Sequence, residues 1–245
     1  MAIEVFNRYE HKYMLDRETF GKMLKIMDEH MAMDSHNEGY MPYTIANIYF
    51  DTPDDYLIRT SLSKPDYKEK LRLRAYGIPD SDSKVFLEIK KKFNGIVNKR
   101  RTKLKLSEAY QFLETGKAPE PKEYMNAQVL HELEYFMKIY ELSPKVYLAY
   151  DRIAYFEKGN KDLRISFDTN IRSRRYDLAL EKGDYGERLL PEDVYLMEIK
   201  TSLAKPLWLT HMLTDLDIKR TGFSKYGTEF RNMINKSTHK YMEVI

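Results

Sequence analysis

Cations recur at every second position through several short stretches of this chain. In KEKLRLRAYG (68–77), Lys70, Arg72 and Arg74 share one parity, and Leu71 and Leu73 take the other. FNRYEHKYML repeats the pattern with Arg8, Glu10 and Lys12, KVFLEIKKK with Glu88, Lys90 and Lys92, and NKRRTKLKL with Lys99, Arg101, Lys103 and Lys105. Arg164 of LRIS opposes Leu163 and Ile165, Glu198 and Lys200 of YLMEIKTS oppose Met197 and Ile199, and Arg152 stands in AYDRIAY. The planar arginine fork matches phosphate oxygens, so these residue types offer the chemistry of polyanion binding. The glutamates of the same parity, Glu10, Glu88 and Glu198, are of the type that holds divalent metal ions between cations and phosphates.

The elements that must position these residues are strands. Successive side chains of a strand point to opposite faces, so each stretch reads as one aliphatic and one charged face. A charged face turned to solvent is the ordinary reading of any single strand of this kind. Repetition argues against it for the set, because like charges facing one another on neighbouring strands destabilise a sheet. Two cations ~4 Å apart cost up to ~4 kcal/mol at an effective dielectric of ~20. A closed barrel with its aliphatic face outward under helices and its cations inward satisfies the pattern, provided a polyanion neutralises the lumen.

Alternation predicts strands over Glu4–Met14, Tyr43–Phe50, Lys68–Tyr76, Lys84–Lys92, Asn98–Leu106, Lys145–Phe156, Leu163–Asp168 and Tyr195–Thr201. Turn signals separate them: DTPDD after Phe50, GIPDSDS after Tyr76, FNG at 93–95 and EKGNKD at 157–162. Helical spacing predicts helices from Asp16 to about Met31, Ser107 to Thr115, Asn126 to Glu141, Pro206 to Leu216 and about Thr228 to Asn235. The Met-rich part of the first, Lys22–Met33, reads as core. The fold class is therefore α+β: an antiparallel β-barrel or tunnel of about eight strands with a basic lumen, covered by several α-helices. KAPEPKEY (117–124) reads as a connecting loop, so residues 1–245 are taken as a single domain.

Composition bounds the function. A formal charge of +3 with 32% charged residues places any anion site in local arrangement rather than in total charge, and no nucleic-acid partner is expected. There is no cysteine, hence no disulfide, thiolate metal site or cysteine nucleophile. The N-terminus lacks a secretory h-region and no run is long enough for a transmembrane segment, so a cytoplasmic location is expected. His11 has the parity opposite Lys12 and reads as a packed or surface histidine, and His211, near Trp208 in a helix, reads as structural; neither reads as a ligand. The run RSRR (172–175) reads either as a solvated turn or as an electropositive tunnel mouth.

RYEHKY (8–13), NIYFDTPDDYLIR (47–59), KEKLRLRAYG (68–77), FLEIKKK (86–92), NKRR (98–101), YDRIAYF (150–156), LRISFDTNIRSRR (163–175), LMEIKTS (196–202) and FSKYG (223–227) follow one another in an order that resembles the VTC domain. That is the polyphosphate polymerase branch of the triphosphate tunnel metalloenzymes, related to the CYTH proteins. The resemblance implies an antiparallel tunnel lined with basic residues. It implies phosphate contacts for Arg8, Lys12, Arg59, Lys90, Lys99, Arg101, Lys200 and Lys225, Arg59 being the looser match across a loop of variable spacing. It gives Arg72, Arg74, Arg152 and Arg164 the task of neutralising charge on the transferred phosphoryl group, and Glu198, with Glu10 and Glu88, that of holding Mn²⁺ or Mg²⁺. Arg8 stands where the CYTH branch opens with a glutamate, which favours the polymerase branch. The implied partners are ATP or another triphosphate, and inorganic polyphosphate. Two alternatives stay open: a triphosphate hydrolase in which Glu10 or Glu88 activates water, and a non-catalytic polyphosphate-binding module.

Overall fold

A computed structural model describes residues 9–37, 41–94 and 96–242. Ten strands form one antiparallel sheet: β1 (Tyr9–Leu15), β2 (Met31–Met33), β3 (Tyr43–Asp51), β4 (Tyr67–Tyr76), β5 (Lys84–Phe93), β6 (Ile96–Lys105), β7 (Ser143–Glu157), β8 (Asn160–Arg174), β9 (Glu187–Arg188) and β10 (Tyr195–Thr201). The main path runs β1-β10-β8-β7-β3-β4-β5-β6, with β2 added to β7 and β9 to β8. Six helices accompany it: α1 (Arg17–His30), α2 (Tyr56–Leu62), α3 (Leu106–Thr115), α4 (Ala127–Ile139), α5 (Leu207–Asp215) and α6 (Lys225–Met242).

The backbone ladder does not close, which corrects the expected barrel in one respect: among the described residues β1 and β6 remain edges. The sheet curls instead. Glu10 in β1 reaches Lys90 in β5 at 3.8 Å, although six strand spacings separate them along the sheet, about 29 Å were it flat. Among the described residues, Glu10, Lys12, Arg72, Glu88, Lys90, Lys99, Glu198 and Lys200, all predicted to point inward, share the concave face.

The aliphatic parity faces outward and is covered by helices, as alternation requires. Leu71, Leu73, Val85, Leu87 and Leu104 pack under Phe112 of α3 and Leu130, Leu133 and Phe136 of α4. Tyr13, Leu163, Ile165, Met197 and Ile199 pack under Met23 and Met27 of α1 and Leu209 and Met212 of α5. The caps of α1 and α4 are legible in sequence: Asp16 accepts from the Thr19 amide at 2.7 Å, and Asn126 from the Val129 amide at 3.1 Å. α3 starts at Leu106, one residue earlier than predicted, where Glu108 accepts from the Lys105 amide at 2.9 Å.

Three features depart from the sequence reading. The Met-rich segment leaves the helix at His30, and Met31–Met33 pairs with β7. DTPDD is not a bare turn, since Asp51 accepts from the amides of Leu57 and Ile58 at 2.8 and 2.9 Å and so anchors α2. The concave face is not cationic throughout. Its Ile45, Val146, Leu148, Ile171 and Leu196 form a third core with Ile58 of α2 and Tyr226 and Phe230 of α6. α6 therefore lies inside the curl as one wall of the concavity. Its Gly227 lets it approach α2, for a Cβ there would meet Leu62 at 2.9 Å.

Leu133→Ala tests the separation of the convex core from the concave face. The variant should lose about 2–5 kcal/mol of stability through the cavity it leaves, read in urea unfolding. Its tripolyphosphate affinity below the transition should match that of the parent protein.

Candidate functional site

Register brings the inward-pointing charges together. On one side of the concavity Lys12 lies opposite Glu198, and Glu10 opposite Lys200; Lys200 in turn faces Arg164 on β8. On the other side Arg72 lies opposite Glu88, with Lys70 opposite Lys90, and Lys90 opposite Lys99. Cations outnumber carboxylates on this face by more than two to one.

The carboxylates act as rivets between strands. Glu88 of β5 holds Arg72 of β4 and Lys99 of β6, each at 2.7 Å, with Arg74 at 4.0 Å. Glu198 of β10 holds Lys12 at 3.4 Å, Lys200 at 3.2 Å, Arg152 at 3.6 Å and Lys225 at 3.4 Å. Glu10 holds Lys12 at 3.4 Å and Lys200 at 3.6 Å, and closes the ring on Lys90. Tyrosines join the two sides: Arg74 donates to Asn47 and to the Tyr150 hydroxyl, and the Lys225 ammonium sits 4.3 Å from the Tyr150 ring centroid. Side chains thus close a circuit that the backbone hydrogen bonds leave open.

Burial and mutual charge set the protonation of these groups. Burial pushes the Glu88 carboxyl up, but Arg72, Arg74 and Lys99 outweigh it and hold the acid far below the usual carboxylate range. Burial likewise opposes ionisation of Glu198 and Glu10, and the lysines around them prevail, bringing Glu10 down to about 2. The opposite happens where cations crowd cations. Burial pushes Lys99 down, and Arg74 and Arg72 add to it against the pull of Glu88, leaving the ammonium at about 7. Burial and the neighbouring Lys90, Lys12 and Lys68 lower Lys70 to about 8, against Tyr49. Burial raises the Tyr49 phenol, yet Arg72, Lys70 and Arg74 bring it to about 8. Solvent still reaches the cations, for the Lys90 side chain is 40% exposed and that of Lys99 32%.

Among the described residues, most of those expected at the site meet here; Arg59 and Arg101 do not join the ion-paired circuit, and Arg152 and Arg164 take carboxylates outside the expected set. Arg8 lies outside the described residues. Arg59 is on α2, 57% exposed and paired with Asp54 at 2.9 Å, because DTPDD folds into a helix start that turns it to solvent. Arg101 has the inward parity and lies over the Phe86 ring at 4.8 Å, at the exposed end of the face. Arg152 directs its fork at Asp168, Nε at 2.6 Å and Nη2 at 2.7 Å, while Lys225 reaches the same carboxylate at 2.5 Å. Arg164 pairs with Asp34 at 3.0 Å. Sequence reasoning missed Asp168, Asn47, Tyr49 and Tyr150. Asp168 shares the parity of Arg164, and that alternation was the available signal. RSRR is neither solvated turn nor mouth: Arg172 binds Asp151 and Asp184, Arg174 stacks on Tyr147 and donates to the carbonyls of Asp177, Ala179 and Tyr185, and Arg175 pairs with Glu229. His11 and His211 lie away from the charged circuit, and Trp208 stacks on His30.

A family model for the VTC domain matches residues 7–234. The chain belongs to the VTC domain family. Among solved structures, a candidate adenylate cyclase from Bacillus halodurans is similar at 16% identity and a TM-score of 0.52, over 89% of this chain and 96% of that one. A candidate adenylyl cyclase from Hippeastrum, reported to have a dominant triphosphatase activity, is similar at 17% identity and a TM-score of 0.54, over 91% and 94%. At these identities the likeness shows a shared fold and nothing more. No curated protein matches the chain significantly.

The family's divalent metal can be tested against these residues. Among the described residues no three or more His, Asp or Glu side chains gather as ligands. Mg²⁺ and Mn²⁺ need only one or two carboxylates when phosphates and water supply the rest. Glu10 and Glu198 fit that role, since they share Lys12 and Lys200, which a phosphate would draw off. Glu88 fits less well, because Arg72 and Lys99 hold its two oxygens at 2.7 Å each, closer than any cation approaches Glu10 or Glu198.

Lys99 and Lys70 give the site a pH signature. In the free protein they lose their charge as pH rises past about 7 and 8. A bound polyanion favours the charged form, so ligand binding takes up protons above pH 7. Tripolyphosphate affinity should therefore fall from pH 7 to pH 9. Calorimetry in buffers of different ionisation heat should show net proton uptake, and Lys99→Met should reduce it.

Proposed function

We propose that this protein transfers the γ-phosphoryl group of ATP to the terminal phosphate of a polyphosphate chain held on the concave face. The observation that carries the reading is the solvent-reached excess of cations on one curled surface, riveted by a few carboxylates and still short of negative charge. A phosphate chain supplies what is missing. Arg72, Lys90 and Lys99 would grip it from one side, and Lys12 and Lys200 from the other.

Phosphoryl transfer asks for alignment and charge neutralisation rather than covalent help from the protein. A terminal oxygen of the polyphosphate attacks the γ-phosphorus, the bond from that phosphorus to the β–γ bridging oxygen breaks, and ADP leaves with the bond's electron pair. The attacking oxygen is already anionic, so no general base is required. Arg72 and Arg74 face the charge that develops on the equatorial oxygens. Mg²⁺ or Mn²⁺ bound between Glu10, Glu198 and the phosphates would add Lewis-acid neutralisation. Arg152 is better placed to orient Lys225 through Asp168 than to touch phosphate.

The same protonation states weigh against water as the acceptor. A hydrolase of the kind expected from sequence would use Glu10 or Glu88 as base, and in the free protein the cations around both carboxyls hold them below the usual carboxylate range, which favours the transfer reading.

Incubation with ATP and Mn²⁺ followed by sizing of the products tests the proposal. Polymers of phosphate are expected, and free phosphate as the sole product would replace transfer with hydrolysis. Arg72→Ala combined with Arg74→Ala should abolish both turnover and the thermal stabilisation given by tripolyphosphate. Stabilisation that survives the double substitution would mean that the grip lies elsewhere.

A further inference from the structure

One end of the concave face changes character. The terminal inward positions of β3 and β4 are aromatic, Tyr43 and Tyr76, and beside them stands Phe86 of β5, one inward position short of Lys84, which turns to the Tyr124 ring. Their rings form a continuous arc, with Tyr43 and Tyr76 centroids 6.0 Å apart and Tyr76 and Phe86 5.8 Å apart, nearly edge-to-face. A guanidinium flanks the arc on each side. Arg101 of β6 lies over Phe86 at 4.8 Å, and Arg164 of β8 touches the Tyr43 hydroxyl at 3.4 Å and lies over Phe156 at 5.1 Å. The convex core does not claim these rings, for Tyr76 is 46% exposed and Phe86 is half-buried on the lumen side of β5.

Aromatic rings on a wetted, cationic face do nothing for phosphate. They do suit the one part of a substrate that is flat and uncharged. Every nucleobase has a π-face that stacks on an aromatic ring or a guanidinium plane. The arc adjoins the phosphate grip: Phe86 lies directly opposite Arg74, and Tyr76 follows Arg74 by two residues, about 6.8 Å along the strand. A ribose bridges a step of that size. A nucleoside triphosphate lying along β4 would put its base on the arc and its phosphates at Arg74 and Arg72.

We propose that Tyr76, Phe86 and Tyr43, with Arg101, form a base-stacking rim that selects nucleoside triphosphates over bare inorganic polyphosphate as the ligand at this end of the site. The inference rests on the lumen holding phosphate, as argued above, and adds the part of the substrate that charge alone does not recognise. Stacking reads the face of the base and not its edge. The rim should therefore favour purines, with their larger rings, and separate ATP only weakly from GTP.

The test compares two ligands on the same variants. Binding of ATP and of tripolyphosphate is measured by calorimetry for the parent protein, Tyr76→Ala, Tyr76→Phe and Phe86→Leu. The ratio of ATP affinity to tripolyphosphate affinity should fall between about 5-fold and 150-fold in Tyr76→Ala, the worth of one base stack. Phe86→Leu should lower the ratio as well, and Tyr76→Phe, which keeps the ring, should preserve it. An unchanged ratio in Tyr76→Ala and Phe86→Leu, with tripolyphosphate still bound, would overturn the rim alone. Failure of the parent protein to bind either ligand would overturn the lumen reading and the rim with it.

Discussion

Everything on the concave face depends on how like charges are kept together. Cations on adjacent strands repel, and a sheet that turns many of them to one side is driven to flatten or to fill its lumen. Here a few carboxylates hold the arrangement. Glu88 spans β4, β5 and β6, while Glu198 and Glu10 tie β1 and β10 to Lys225 of α6 and to Lys90 across the gap. Each carboxylate is ionised because several cations outweigh its burial, and each is therefore a poor base.

The rivets leave the cations short of full neutralisation, and this residual charge sets the affinity for a polyanion. Lys99 and Lys70 carry the imbalance most directly, because burial, with the cations beside them, brings their ammonium groups down to about 7 and about 8. The ligand completes a charge balance that the folded chain leaves open. Such a site is preorganised: Arg72 is fixed by Glu88 and the Tyr49 hydroxyl, and Arg74 by Asn47 and Tyr150, before any phosphate arrives. Preorganised donors aimed at developing charge are the main resource of phosphoryl-transfer catalysis.

The two ends of the concave face are built from different physics. At one end apolar side chains of β3, β7, β8 and β10 take α6 as a wall, so that Lys225 enters the site from a helix rather than from the sheet. At the other, rings on β3, β4 and β5 stand beside Arg74. The character changes within single strands: the inward residues of β4 run Lys70, Arg72, Arg74 and Tyr76, and those of β7 run Val146, Leu148, Tyr150 and Arg152.

Alternation alone determined which residues share a face, because the side-chain period of a strand is two whatever its neighbours do. From that came the inward parity of Arg72, Arg74, Lys90 and Glu198, the outward parity of Leu71 and Ile89, and an α+β fold with helices on the aliphatic side. Local chemistry likewise determined the caps at Asp16 and Asn126. Partners were decided only by the tertiary structure, because register and curl join residues far apart in the chain. Asp168 takes Arg152 and Lys225, Asp51 turns a presumed turn into α2 and sends Arg59 to solvent, and RSRR is absorbed by the loop carbonyls it faces. The closing contact between Glu10 and Lys90 belongs to the same class. No local pattern encodes it, since it exists only once the sheet has bent far enough to bring its first strand over its seventh.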